Sequence, residues 1–291
     1  MIDLNYLNTF IDNALKEDIG NGDHTSLACI PSMSEGKAQL IIKEKGILAG
    51  VEVALQVFRR FDTFLNINVF IEDGAKVFPG DIVFTVEGRI ISILQCERLV
   101  LNIMQHLSGI ATQTNLYVER LAGTPAKLLD TRKTTPGMRL LDKEAVRLGG
   151  GNNHRIGLFD MVLIKDNHID YAGGIETAID AVNKYLNKRG KMLKIEIEAR
   201  NLDEVERIVK HSGVHSILFD NFNIEETRKA VEMVSGHYET ESSGNITLDN
   251  IRDYALCGVD YISVGALTHH VKSLDMSLKA VENQKTNIKN E

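Results

Sequence analysis

LKIEIEARNLDEVERIVKHSGVHSILFDNFNIEETRKAVEMV, Leu193 to Val234, carries two periodicities in turn. LKIEIE (193–198) and SILF (216–219) are short strand-like runs. EVERIVKH and IEETRKAVEMV place their apolar residues at helical spacing. Strand, helix, strand, helix is the rhythm of a parallel sheet, because parallel neighbours need a crossover between them. The same rhythm extends both ways, through KLLD (127–130), MVLI (161–164), YETES (238–242) and YISV (261–264). Six strands are fewer than the eight of a closed (β/α) barrel, so a reduced or open α/β barrel is expected.

The preceding chain is of another kind. Residues 3 to 17 predict an amphipathic helix with Leu4, Leu7, Ile11, Ala14 and Leu15 on one stripe. AQLIIKEKGILAG, LNINVF and DIVFTVEG are strand-like, and the helix VEVALQVFRRF interrupts them. A long helical stretch follows from Ile91, with Gly109 as a kink or a break. The tail after Lys272 is polar and helix-prone.

The 291 residues carry a formal charge of −7, which argues against a nucleic-acid binder. No run approaches the length of a membrane span. Cys29, Cys96 and Cys257 are far apart, with no CxxC pair to suggest a zinc ribbon or a redox dithiol. Met1 to Phe10 is unlike a signal peptide, so a cytoplasmic protein is expected.

Each strand-like run ends on polar residues, and barrel strand ends share the face that carries the active site. KLLD leads to Arg132 and Lys133, MVLI to Lys165, LKIEIE to Glu198, and SILF to Asp220. In LKIEIEA, Lys194, Glu196 and Glu198 share one side and the isoleucines the other, which turns the acids inward. An edge strand with a solvated face is the competing reading. Glu198 and Asp220 could together hold a divalent ion such as magnesium, alongside substrate phosphates. ESSGN (241–245) and VGALTHH (264–270) are suited to phosphate, the second at the start of a short helix. Arg132, Lys133, Arg139, His154, Arg155 and Lys165 supply cations, and several Args in one cavity imply a polyanion. Arg139 and Arg147 fit a solvated helix surface equally well.

EDIGNGDHTS, CERLVLNIMQHLSGIAT, DTRKTTPGMR, VRLGGGNNHR, MVLIKDNHI, IEIEA, LFDN, ESSGN and ISVGALTHH follow one another in the order of a known family. The chain resembles the quinolinate phosphoribosyltransferases over nearly its whole length. That resemblance implies an N-terminal α/β sandwich over 1–110, joined by a C-terminal helix over 271–291, and an open α/β barrel over 111–270. It implies a magnesium-dependent reaction of quinolinate with phosphoribosyl pyrophosphate, giving nicotinate mononucleotide, pyrophosphate and carbon dioxide. It implies at least a homodimer, with Arg98 reaching the other subunit's site. Arg132, His154 and Arg155 would grip the quinolinate carboxylates. Lys133 and Lys165 would lie between the two substrates; in the reaction so implied, Lys133 is a candidate to orient or protonate near the decarboxylated carbon. Glu198 and Asp220 would hold the ribose hydroxyls and magnesium. Ser243, Gly244, Asn245, Gly265 and Ala266 would bind phosphate. Without the resemblance Arg98 is only a helix-surface residue. A phosphoribosyltransferase for another aromatic acid, a Schiff-base aldolase using Lys165, and a phosphate-ligand sensor are the alternatives.

Overall fold

The structure, a computed structural model, describes residues 3–281. The chain forms two compact units, one running to Thr112 and resuming at Val271, the other spanning Gln113–His270.

The first unit contains α1 (Leu4–Ile19), α2 (His24–Cys29), β1 (Glu35–Ile42), β2 (Gly46–Ile47), α3 (Val51–Phe61), β3 (Asn66–Val69), β4 (Lys76–Val77) and β5 (Ile82–Arg89). Helix α4 (Ile90–Arg120) begins in it and ends in the second unit. Asp3 caps α1 by accepting from the Tyr6 N–H at 2.8 Å. Leu7 and Ile11 of the expected stripe are buried, whereas Leu4, in the first turn, is 62% exposed. Helix α3 buries Val53, Ala54, Val57 and Phe58, and the Phe58 ring meets Phe84 of β5 edge-on at 6.0 Å.

The second unit contains β6 (Lys127–Leu129), α5 (Arg139–Leu148), β7 (Val162–Ile164), α6 (Asp166–Ala172), α7 (Ile175–Arg189), β8 (Ile195–Ala199) and α8 (Leu202–His211). It continues with β9 (Ser216–Asp220), α9 (Ile224–Val234), β10 (Glu239–Ser243), α10 (Ile251–Ala255), β11 (Tyr261–Ser263) and α11 (Ala266–His269). The six strands form one sheet in the order β6-β11-β10-β9-β8-β7, every pair parallel. The sequence neighbours β6 and β7 are its two free edges, so the barrel is open between them. Strand β8 is internal and all five of its residues are buried, which excludes the solvated-edge reading of IEIEA.

One expectation in the first unit fails, and the break considered at Gly109 does not occur. The helix expected over 271–291 is not formed at Met276–Ala280, which is strand β12. It pairs antiparallel with β1, Leu40 opposite Leu278, and the sheet runs β12-β1-β5-β3. Met276 and Leu278 are buried two residues apart, so the period-two pattern with a ready partner strand overrides helix propensity. The part of that expectation beyond Val281 lies outside the described residues. Helix α4 also passes through Gly109 without a break. Gly109 is small for a packing reason: a Cβ there would stand 2.4 Å from the Lys272 carbonyl oxygen. Gly109→Ala is therefore expected to cost about 1–3 kcal/mol, read as a lowered thermal unfolding midpoint. An unchanged midpoint would show that the 271–275 segment yields freely.

Candidate functional site

A cavity of about 660 Å³ opens at the carboxyl ends of the second unit's strands. Arg132 and Lys133 enter it after β6, His154 and Arg155 from the segment between α5 and β7, and Lys165 after β7. Glu198 and Asp220 reach it from β8 and β9. Ser243, Gly244 and Asn245 follow from β10, and Gly265 and Ala266 from the β11–α11 turn. Arg98 is exposed on α4 and is not among the lining residues.

The 130–161 segment is held across the open edge by a buried ion pair. Asn152 forms a single parallel bridge to Leu129, donating from its N–H to the Leu128 carbonyl at 2.8 Å. Directly beside it, the Lys143 ammonium of α5 meets the Asp130 carboxylate, both almost fully buried. Asp130 also accepts from the His154 N–H at 2.8 Å, and Lys143 donates to the His154 carbonyl at 3.1 Å. With its amide nitrogen turned toward these acceptors, Asn153 donates to Asp130 Oδ2 at 2.7 Å and to the Lys143 carbonyl at 2.9 Å. Burial raises the Asp130 carboxyl and lowers the Lys143 ammonium, each toward its neutral form, and each partner's charge opposes that. Neither residue was singled out as functional in the sequence; an Asp and a Lys at buried positions were its only signal.

This scaffold presents two guanidiniums. Arg155 is only 9% exposed and donates to the Met161 carbonyl at 3.2 Å. Burial lowers its pKa, and the like charge of Arg132 lowers it further. The Arg132 Nε is buried with no hydrogen-bond partner among the described residues. Two repelling cations, one with an unused buried donor, suit a compact dianion. Arg139 is a brace of the loop, donating to Thr134 Oγ1, the Ile156 carbonyl and the Arg132 carbonyl at 3.1, 3.2 and 3.4 Å. Arg147 is a surface residue paired with Glu144.

His154 differs from what the sequence suggested. Its Nδ1 accepts from the Arg155 N–H at 2.7 Å, which assigns the ring hydrogen to Nε2. Nε2 then donates to Glu196 Oε2 at 2.9 Å. Both nitrogens are thus used within the protein, leaving none for a ligand carboxylate. Burial lowers the His154 pKa, but the Glu196 hydrogen bond and the charges of Glu241 and Glu196 outweigh it. The Arg155 N–H acts against that rise, since a second ring proton would have to displace it. His154, Glu196 and Glu241 bring three potential metal-ligand atoms within 4.8 Å of one another. With hydrogen on Nε2, the histidine is a donor to the carboxylates, and the group is a proton-sharing cluster. Glu241 was overlooked because ESSGN looked like a small polar loop. The period-two alternation that turned Glu196 inward applies equally to Glu239, Glu241 and Ser243 on β10.

The remaining wall is backbone-rich. Asn221 and Asn245 have φ of 59° and 54°, and Gly244 has φ of 91°. A Cβ on Gly244 would lie 2.1 Å from Asn221 Oδ1, so only glycine fits. Asn245 Nδ2 donates to the same oxygen at 3.1 Å, and the Asn221 N–H donates to the Ser243 carbonyl at 2.8 Å. Left-handed non-glycine residues held by such contacts concentrate at binding sites. After the neighbouring strand β11, Gly265 leaves room for the Lys133 stem, whose Cδ would be 3.0 Å from an added Cβ. Lys165 Nζ lies 2.8 Å from Glu198 Oε1, and Asp220 Oδ2 accepts from Asn221 Nδ2 at 3.0 Å. His269, within the VGALTHH stretch but not singled out there, also lines the cavity; burial, then the charges of His270 and Lys133, lower its pKa.

Comparison with known proteins adds a family. Residues 23–108 match the model of the quinolinate phosphoribosyl transferase N-terminal domain, and residues 110–279 match that of the C-terminal domain. The chain is 44% identical over 288 residues to the chloroplastic nicotinate-nucleotide pyrophosphorylase [carboxylating] of Oryza sativa subsp. japonica, covering 94% of this chain and 77% of the rice protein. It is 39% identical over 272 residues to the probable nicotinate-nucleotide pyrophosphorylase [carboxylating] of Bacillus subtilis, covering 94% and 92%. The nicotinate-nucleotide pyrophosphorylase structure from Francisella tularensis superposes with a TM-score of 0.91 at 40% identity, covering 97% of this chain and 98% of that one.

The buried pair makes a prediction independent of function. Lys143→Met leaves the Asp130 carboxylate buried without its cation, and should cost about 3–5 kcal/mol. Adding Asp130→Asn should recover part of that loss in denaturant unfolding. A double variant no more stable than Lys143→Met would remove the ion pair from this account.

Proposed function

The chain belongs to the quinolinate phosphoribosyltransferase family, and from that premise we propose that its cavity joins quinolinate to phosphoribosyl pyrophosphate with loss of carbon dioxide. The products are nicotinate mononucleotide and pyrophosphate, which makes the enzyme a decarboxylating pentosyltransferase of NAD biosynthesis. The observation that carries the reading is the pair Arg132 and Arg155, repelling one another beside an unpartnered buried Nε. Two adjacent carboxylates on a flat ring are the anion that such a pair fits.

The roles follow from the chemistry of each wall. Arg132 and Arg155 take the quinolinate carboxylates, and His154 holds the Arg155 backbone in place. Lys133 and Lys165 stand between the two substrates and offset their charge. Backbone donors at Gly244, Asn245, Gly265 and Ala266, with the Ser243 hydroxyl, take phosphate oxygens. Glu198 and Asp220 face the ribose, where they stabilise positive charge growing on the sugar as pyrophosphate leaves. The quinolinate nitrogen attacks the anomeric carbon. The pyridinium so formed draws electrons as the adjacent carboxylate departs. Holding two charged substrates in register contributes much of the rate.

Magnesium fits the same acids. Glu198 and Asp220 are oxygen donors at neighbouring strand ends, as a hard cation shared with phosphates requires. A bound ion would neutralise charge on the pyrophosphate. The reading includes a homodimer in which Arg98, exposed on α4, enters the site of the partner subunit. The three free cysteines suit a reducing compartment, and the cytoplasm is the setting proposed. Among the described residues no helix is long and apolar enough to cross a membrane. Lys165 is engaged with Glu198 rather than desolvated in an apolar pocket, which disfavours a Schiff-base role.

A coupled assay for pyrophosphate and nicotinate mononucleotide should show turnover with quinolinate and far less with nicotinate. Sites built to pair a polar group reject analogues lacking it by roughly 10⁴-fold. Arg155→Ala should lose quinolinate turnover by on the order of 10²-fold or more while phosphoribosyl pyrophosphate still binds; near-normal kinetics would remove Arg155 from the site. Mixing inactive Arg98→Ala and inactive Lys165→Ala proteins should restore partial activity through heterodimers. No recovery after confirmed subunit exchange would count against a shared site.

A further inference from the structure

The mid-strand residues Leu163, Leu218 and Glu241 form the floor of the cavity, beneath the loop residues at its mouth. Glu241 is the one acid among them. It is 2% exposed, and its Oε1 has no hydrogen-bond partner among the described residues. Its Oε2 lies 3.5 Å from His154 Nε2, whose hydrogen already points to Glu196. Glu196 in turn accepts from Ser216 Oγ at 3.1 Å. Glu196 is therefore the better satisfied carboxylate, and Glu241 the poorly satisfied one.

Two carboxylates sharing one imidazole in a buried cluster do not both ionise readily. The charged and polar groups acting on Glu241 are Glu196 and Glu198 from β8, His154 from the segment before β7, and Ser263 from β11. Burial first, then the Glu196 charge, raises the Glu241 pKa strongly, and His154 and Ser263 only partly oppose this. Burial and the neighbouring carboxylate thus push the acid at the cavity floor toward its protonated form. Glu198 and Asp220, the other acids lining the cavity, are assigned to the ribose and magnesium, and Glu241 below them has neither task.

We propose that Glu241 delivers the proton to the ring carbon from which carbon dioxide departs, a step that rests on the decarboxylating reaction above. The carbon–carbon bond to the departing carboxylate breaks, and its electron pair stays on the ring carbon beside the quaternised nitrogen. The Glu241 O–H bond breaks as the new C–H bond forms. Glu241 is left ionised and regains a proton from solvent when product leaves. His154 and Glu196 are positioning residues that keep the donor's proton in place. Lys133, the donor candidate suggested by the sequence, is exposed at the cavity mouth with its stem over Gly265.

Rapid-quench single turnovers separate the two halves of the reaction. The wild-type enzyme should release pyrophosphate and form nicotinate mononucleotide; if it forms neither, the functional reading itself fails. Glu241→Gln, of similar size, should release pyrophosphate at near the wild-type rate while nicotinate mononucleotide formation slows on the order of 10²-fold. Glu241→Asp should show the same split in weaker form and covers the case of a glutamine variant that does not fold. In equal parts H2O and D2O, hydrogen and deuterium discrimination at the product carbon should differ between wild type and variant. Wild-type mononucleotide formation with unchanged discrimination overturns the proposal. So does a parallel fall in both steps, which marks a structural role.

Discussion

An open barrel leaves its end strands short of a partner, and here charge ties the chain that follows β6 back to that strand's end. The Asp130–Lys143 pair lies where the sheet has run out of strands, anchored to β6 on one side and α5 on the other. Desolvating two ions is costly, and the Coulomb attraction alone often fails to offset it. The surroundings tip the balance. Asp130 receives the His154 N–H and the Asn153 amide, and Lys143 reaches the His154 carbonyl. The same bonds fix both backbone groups of His154. An interaction at the β6 edge therefore also sets the position of Arg155, one residue further on.

That coupling explains how the cavity can hold like charges together without a ligand. Arg132 and Arg155 repel one another, and a flexible loop would let them part. Arg139 ties the two loops, bonding to the Arg132 and Ile156 carbonyls. Across the cavity the Asn221–Gly244–Asn245 turn keeps two asparagines in the left-handed region. Both walls thus carry a cost in the free protein. Such preorganisation means that little rearrangement is needed when charge develops.

Much of this was legible in the sequence, and the exceptions share a cause. Periodicity located the six strands of the barrel and α3, α8 and α9, because local pattern and tertiary burial agree there. Glu198 and Asp220 were legible as acids closing apolar runs. Residues whose role depends on a distant partner were not. Lys143 looks like an ordinary helix lysine until Asp130 is opposite it. The 276–280 strand is decided by its pairing with β1 rather than by its own propensity. Gly109 suggested a helix break because the Lys272 carbonyl against it comes from much later in the chain. The resemblance assigned His154 a ligand contact, and its two hydrogen bonds assign it a supporting one.

The interior acids carry the last step. Glu196 and Glu241 occupy barrel positions where leucine or isoleucine would bury without penalty. Replacing buried charged groups by apolar ones of similar volume is commonly neutral or stabilising. Stability alone therefore gives no reason for two glutamates and a histidine inside this sheet. Their arrangement is also unequal: Glu196 is bonded to His154 and Ser216, and Glu241 keeps an oxygen without a partner. An acid pushed toward its neutral form by burial and its neighbours, at the floor of a cavity whose mouth suits anions, separates two tasks. Cations at the mouth recognise the carboxylates, and a neutral acid below can give up a proton without first repelling them.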